Sequence, residues 1–203
     1  MSIYNPKMWI MKITPGGSGN TKMYFENLFI NKDCKKAVGY TKDGGEIEKF
    51  RIRWKKIKIG DLVIILEGHN RVFGVVEITS DSFDSEDGDE QADWFYHRRK
   101  AELIKYFRPS FEAKANTNRD TIIEYSGDGA VDICDEVWDK IRDEYINQKK
   151  TKQMQKKIDV LKFKKQIILQ GPPGTGKTRL AQLIADEMIK AEVKLTPLQY
   201  IEW

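Results

Sequence analysis

Cysteine and histidine are scarce in this chain of 203 residues, with two of each. Cys34 and Cys134 lie far apart, so no disulfide framework is indicated and a reducing, cytoplasmic setting is the expectation. His69 and His97 do not join the cysteines in any cluster with metal-ligand spacing. Long apolar runs are missing too. The longest, Leu62 to Leu66, is far too short to span a bilayer, so no membrane partner is expected. The opening MSIYNPKMWIMK lacks the apolar core and small-residue cleavage site of a signal peptide. No internal repeat is present.

What is present suits a globular chain: 40% hydrophobic and 33% charged residues, in a length that holds one domain and part of a second. The net charge of +4 says less than its distribution. Lys49 to Lys58 holds six cations in ten residues, and Ile141 to Lys165 holds nine against three acids. Such runs are either solvated surface or a footprint of polyanion binding. Asp81 to Asp93 carries seven acids and lacks the ligand spacing of an EF-hand, so it reads as an acidic loop.

Three parts are expected: 1–108, 109–160 and 161–203. The first reads as strand-rich. Trp9 to Ile13 opens it, KMYFENLF is a short helix, and Leu62 to Leu66 pairs with Val72 to Thr79 across Glu67-Gly68-His69-Asn70. FRIRWK alternates, with Phe50, Ile52 and Trp54 on one face, and reads as a further strand. Trp94 to Phe107 holds another. Strands with glycine-marked turns predict a small α+β fold around a barrel or strongly curved sheet. A turn is expected at Pro109, a short strand at Thr121 to Tyr125, and a helical connector from Asp135 to Lys157. In the third part QIILQ reads as a strand. The following helix has a predicted buried stripe of Leu180, Leu183, Ile184, Met188 and Ile189.

Between them lies GPPGTGKT: Gly171, Pro172, Pro173, Gly174, Thr175, Gly176, Lys177 and Thr178. It fits G-x-x-x-x-G-K-[ST], the loop whose backbone N–H groups cradle phosphates at a helix N-terminus. Lys177 is placed to reach the β and γ phosphates and Thr178 to hold Mg²⁺. GTP or ATP with Mg²⁺ is the cofactor expected for this part, and none for the first domain.

The string GPPGTGKT resembles the AAA+ subclass. That resemblance implies a downstream Mg²⁺/water acid, a sensor and an arginine finger, whereas only VKLTPLQYIEW follows the helix. The expectation is a chain cut just inside its motor, catalytically silent alone. The opening MWIMKITP, then FRIRWKKIKIGDLVIIL, FGVVEIT and YHRRKAEL, resembles in order the EVE-type domains, relatives of the YTH fold, over residues 8–107. It departs from them at Lys12-Ile13-Thr14 and in its long acidic loop. An EVE-like domain followed by GPPGTGKT resembles the McrB family, GTPase subunits of modification-dependent restriction systems.

That resemblance implies modified double-stranded DNA as ligand, a nuclease subunit as partner and a hexamer in the full-length protein. A base read inside a duplex is flipped out and stacked on aromatic faces. The candidates are Tyr40, where YTH relatives place a cage Trp, and Trp94, then Trp54 and Phe83. Core packing is the competing role for each. Lys12, Ile13 and Thr14 are candidates for the pocket edge. Arg51, Arg53, Lys55, Lys56, Arg98 and Arg99 are candidates for phosphate contacts. The alternatives are an AAA+ ATPase whose first domain grips a protein, and an RNA reader.

Overall fold

The computed structural model describes residues 6–13, 21–32, 34, 36–40, 47–84, 96–118, 120–126 and 129–195. Thr14 and Trp94 lie outside the described residues. The chain divides into two compact units, Met1–Arg142 and Asp143–Trp203.

The first unit is a mixed α+β fold on a curled, open seven-stranded sheet. Its elements are β1 (Met8–Lys12), α1 (Thr21–Phe29), β2 (Ala37–Tyr40), α2 (Ile47–Lys56), β3 (Leu62–Glu67), β4 (Arg71–Ile78), β5 (Phe83–Asp84), β6 (His97–Glu112) and β7 (Ile122–Glu124). The strand order is β2-β6-β4-β3-β1-β7, with β5 also paired to β6. β1 runs parallel to β3, with Trp9 opposite Val63, and antiparallel to β7. β3 and β4 form the expected hairpin, turned at Gly68 with φ +60°.

MWIMK is buried on both sides of the pleat, as a central strand requires. Trp9, Met11 and Ile13 join Phe25, Leu28 and Phe29 of α1 and Trp54 of α2 in one core cluster. Ile10, Ile64 and Ile123 are buried outside that cluster, as are Ile133, Cys134, Val137 and Ile141 in the first turns of α3 (Ala130–Lys164). The Trp9 indole N–H donates to Asp61 Oδ2 at 2.9 Å, so the buried ring leaves no donor unmet.

Two sequence expectations in this unit are corrected. FRIRWK is helical, not a strand. Lys49, Arg53 and Lys56 stand at i, i+4 and i+7, on one helix face, and meet acids of the β7 region. Phe50, Trp54 and Ile57 form the apolar stripe instead, and Ile52 is exposed. The basic last turn, Arg53, Lys55 and Lys56, also suits the negative end of the helix dipole. At Pro109 no turn ends the strand. β6 continues to Glu112 because the ladder with β4 is irregular there: Tyr106 pairs with Gly74 and Phe111 with Val72. The proline falls in that gap, where no ladder N–H is required.

In the second unit α3 runs on past Arg142, and α4 spans Lys177–Leu195. QIILQ is not a strand, since the described residues of this unit offer none for it to pair with. The expected stripe on α4 is likewise not buried as a stripe. Ile184 is buried, but Leu183 and Ile189 are exposed. Among the described residues no helix is long and apolar enough to cross a membrane.

Gly74 shows how tightly α1 seats on the sheet. A Cβ there would lie 2.5 Å from Phe25 Cζ and 2.6 Å from the Lys105 carbonyl oxygen. Backbone on one side and a core ring on the other leave little room to shift. Gly74→Ala is expected to destabilise the fold by about 1–3 kcal/mol through overpacking. Urea unfolding measures it, and an unchanged midpoint would mean that α1 is not packed as described.

Candidate nucleotide loop and nucleic-acid interface

The loop Gly171–Thr178 owes its shape to local torsions. Gly174 and Gly176 have φ of +77° and +76°, and a Cβ on either would meet nothing, so the demand for glycine is torsional. Lys177 opens α4 and folds back over the loop. Its Nζ donates to the carbonyls of Gly171 at 2.9 Å and Pro172 at 2.6 Å, and lies 3.3 Å from Thr175 Oγ1. Thr175 Oγ1 in turn donates to the Pro172 carbonyl at 2.8 Å. Thr178 is exposed in the first helical turn, beside backbone N–H groups that have no partner within the helix. Pro172 and Pro173 are exposed along the rim. Among the described residues no cluster of His, Cys, Asp or Glu could hold a metal unaided.

The aromatic candidates divide. Tyr40 ends β2 opposite His97, and the two rings stack with centroids 4.6 Å apart and 29° between planes. Trp54 meets Tyr40 edge-on at 5.3 Å. It is only 2% exposed, and its indole N–H donates to Ser82 Oγ at 2.6 Å. That makes Trp54 the floor under Tyr40 rather than an open face. Phe83 is exposed on β5, which pairs with the start of β6. His97 Nδ1 lies 2.6 Å from Asp84 Oδ1, and Tyr96 packs edge-on against the same imidazole at 4.8 Å. Burial, and then the charge of Asp84, push the Tyr40 phenol above its ordinary range, against the pull of Arg51. Tyr40 is therefore a neutral, mostly covered ring between an acid and a cation. His97, Tyr96 and Ser82 belong to this cluster. No local signal marks them, because the β2–β6 and β5–β6 registers bring them together.

The pocket-edge candidates are also occupied. Ile13 is fully buried in the core. Lys12 Nζ donates to the Asn118 carbonyl at 2.6 Å, and burial lowers its pKa against the charge of Asp120.

The candidate cations fall into three groups. Arg53 donates to Asp120 Oδ2 at 2.7 Å and to the Ile122 carbonyl at 2.6 Å, while Lys56 reaches Glu124 Oε2 at 3.1 Å. These two brace the fold. Arg98 and Arg99 are 6% and 4% exposed. Arg99 donates to the carbonyls of Trp54 at 3.1 Å and Ser80 at 3.4 Å, with its guanidinium 5.2 Å from the Trp54 ring centroid. Neither arginine presents a free guanidinium to a phosphate. Among the described residues Arg51 pairs only with Glu48 of its own helix and Lys55 makes no ion pair, and both are exposed. These two face outward.

Residues 149–202 match the family profile of Novel STAND NTPase 3 (nSTAND3), so the segment around the loop is similar to an NTPase. No curated protein matches the chain. Among solved structures, it is similar to the YTH domain of the Zygosaccharomyces rouxii MRB1 protein in complex with N6-methyladenosine RNA. That match has 14% identity and a TM-score of 0.35, and covers 54% of this chain and 63% of that one. It is also similar to a hypothetical protein from Leishmania major, at 12% identity and a TM-score of 0.44, covering 71% and 98%. A third match is an NMR structure of a Rhodopseudomonas palustris protein, at 11% identity and a TM-score of 0.34, covering 68% and 92%.

The brace generates a pH-dependent prediction. Burial raises the Asp120 pKa, but the hydrogen bonds and charges of Lys49 and Arg53 outweigh it, and the net shift is downward. A depressed folded pKa stabilises the fold above the unfolded carboxylate value, about 3.9, and the contribution is lost as pH falls through the lower folded value. Asp120→Asn is expected to lower stability by about 1–3 kcal/mol at pH 7. The gap from the unsubstituted protein should narrow below about pH 4. Urea titrations at both pH values measure it, and a pH-independent gap would remove Asp120 from the brace.

Proposed function

We propose that this chain couples a reader of modified double-stranded DNA, in Met1–Arg142, to a phosphate-loop NTPase segment in Asp143–Trp203. One observation carries the NTPase half: Lys177 lies across the Gly171 and Pro172 carbonyls at the N-terminus of α4. An ammonium satisfied by its own loop is poised to exchange those carbonyls for nucleotide phosphates. Gly171 to Thr178 would hold GTP or ATP, and Thr178 would offer its hydroxyl to Mg²⁺. The match of residues 149–202 to an NTPase family supports this half.

For the reader half the support is the placement of α2. Its Trp54 underlies Tyr40, while Arg51 and Lys55 stand i, i+4 on the exposed side of the same helix. Cations track phosphates without reading sequence, and an aromatic cluster beside them takes the flipped base. His97 now covers one face of Tyr40 and turns aside for the base to stack there. The finer reading is an McrB-like subunit, hexameric and GTP-dependent when whole and acting with a nuclease partner. It rests on the order of sequence motifs.

Matched duplexes carrying 5-methylcytosine, N6-methyladenine or no modification, titrated into the 203-residue chain, test the reader. One modified duplex is expected to bind at least about tenfold tighter, with affinity falling steeply with salt. Tyr40→Ala should weaken that binding by about 1–3 kcal/mol and spare the unmodified duplex. Arg51→Ala with Lys55→Ala should weaken all duplexes and flatten the salt slope by about one unit per lost contact. Lys177→Ala should abolish GTP or ATP binding by calorimetry and leave duplex binding intact. Equal affinity for all duplexes, or a preference for single-stranded RNA, would overturn the DNA-reader assignment. Undiminished nucleotide binding in Lys177→Ala would overturn the loop assignment.

A further inference from the structure

A second concave site lies in the first unit, where the start of β1 and the end of β7 meet the first turns of α3. This groove of about 450 Å³ is lined by Pro6, Lys7, Met8, Glu124, Tyr125, Ser126, Asp135 and Trp138. The volume is in the range of ligand sites. None of its residues belongs to the Tyr40 cluster or the phosphate loop.

Its chemistry is directional. Tyr125 and Trp138 supply aromatic surface, with Met8 and Pro6 as apolar wall. The Tyr125 hydroxyl donates to Asp135 Oδ1 at 3.0 Å, which fixes the carboxylate on α3 and leaves Oδ2 without a partner among the described residues. On the opposite wall Lys7 Nζ sits 2.6 Å from Glu124 Oε1 and Lys56 takes Glu124 Oε2, so both lysines are engaged by one carboxylate. Lys7 also lies 4.5 Å from the Trp9 ring centroid, so a cation between carboxylate and indole is already present one wall away. Beyond the groove, Asp132, Glu136 and Asp139 line an adjoining hollow with Asp135, against one lining cation, Lys114, and Lys140 approaches Glu136 only at 3.9 Å. On the α3 side acids outnumber cations, which disfavours an anionic ligand such as a nucleotide there.

We infer that this groove docks a basic polypeptide by one arginine side chain. The guanidinium would pair with Asp135 and stack on Trp138 and Tyr125. Arginine is favoured over lysine because a planar fork matches a carboxylate edge while its face lies on an indole. The groove is larger than one side chain fills, so the cation arrives on a chain whose flanking residues rest on Met8 and Pro6.

The probe is acetyl-Gly-Arg-Gly-amide, with citrulline and lysine counterparts of the same length. The readout is the Trp138 indole N–H resonance of the 203-residue chain, assigned by its loss in Trp138→Phe. The arginine peptide is expected to shift that resonance saturably, the lysine peptide several-fold more weakly, and the citrulline peptide not at all. Asp135→Asn keeps the shape and the acceptor for Tyr125, and should weaken binding about tenfold or more. Asp139→Asn, outside the groove, should change it less than about twofold. Melting curves of both variants separate lost binding from lost fold, and Tyr125→Leu, which keeps the Trp138 resonance, provides a second loss-of-binding variant. An equal response to citrulline, no response to arginine, or equal losses in Asp135→Asn and Asp139→Asn would overturn the proposal.

Discussion

Asp120 and Glu124 determine how the first unit is assembled. Between them these two carboxylates bind Lys7, Lys49, Arg53 and Lys56. Three of those cations lie on one face of α2, so the pairing selects a helix for a segment whose apolar alternation fits a strand equally well. With that face turned to β7, Trp54 turns into the core and comes edge-on to Tyr40. The remaining cations of the run, Arg51, Lys55 and Lys58, turn to solvent. A basic run that looks uniform in sequence is thereby split into a bracing set and a free set.

The legible parts of the fold were those with a local signature. β1, the helix in KMYFENLF, the β3–β4 hairpin and the connector helix followed from periodicity and turn residues. The turn geometry of GPPGTGKT could be read because glycine torsion and a lysine reaching its own loop carbonyls are short-range. The illegible parts depended on distant partners. FRIRWK became α2 because of acids about seventy residues away. Pro109 stayed in a strand because its neighbour's ladder has a gap. Arg98 and Arg99 read as surface cations in YHRR, yet both are buried on β6, and Arg99's bonds to the carbonyls of Trp54 and Ser80 show how its charge is accommodated.

The same contrast separates the two candidate sites. The loop at Gly171–Thr178 is set by its own residues, and it keeps its geometry although QIILQ forms no strand. The aromatic cluster belongs to the tertiary structure. Tyr40, Trp54, Ser82 and His97 come from four separate stretches of chain and meet only through strand pairing and the α2 brace. Substitutions far from the cluster, such as at Asp120, are therefore expected to reach it, whereas few outside the loop reach Lys177.

Hydrogen–deuterium exchange of the 203-residue chain, with and without a saturating modified duplex, tests the central claim most directly. New protection is expected in Ile47–Lys56 and in residues 96–100, where the exposed face of α2 and the Tyr40–His97 stack lie. Unchanged exchange in both segments, with protection confined to Asp143–Trp203, would place nucleic-acid binding on the basic second unit and contradict it.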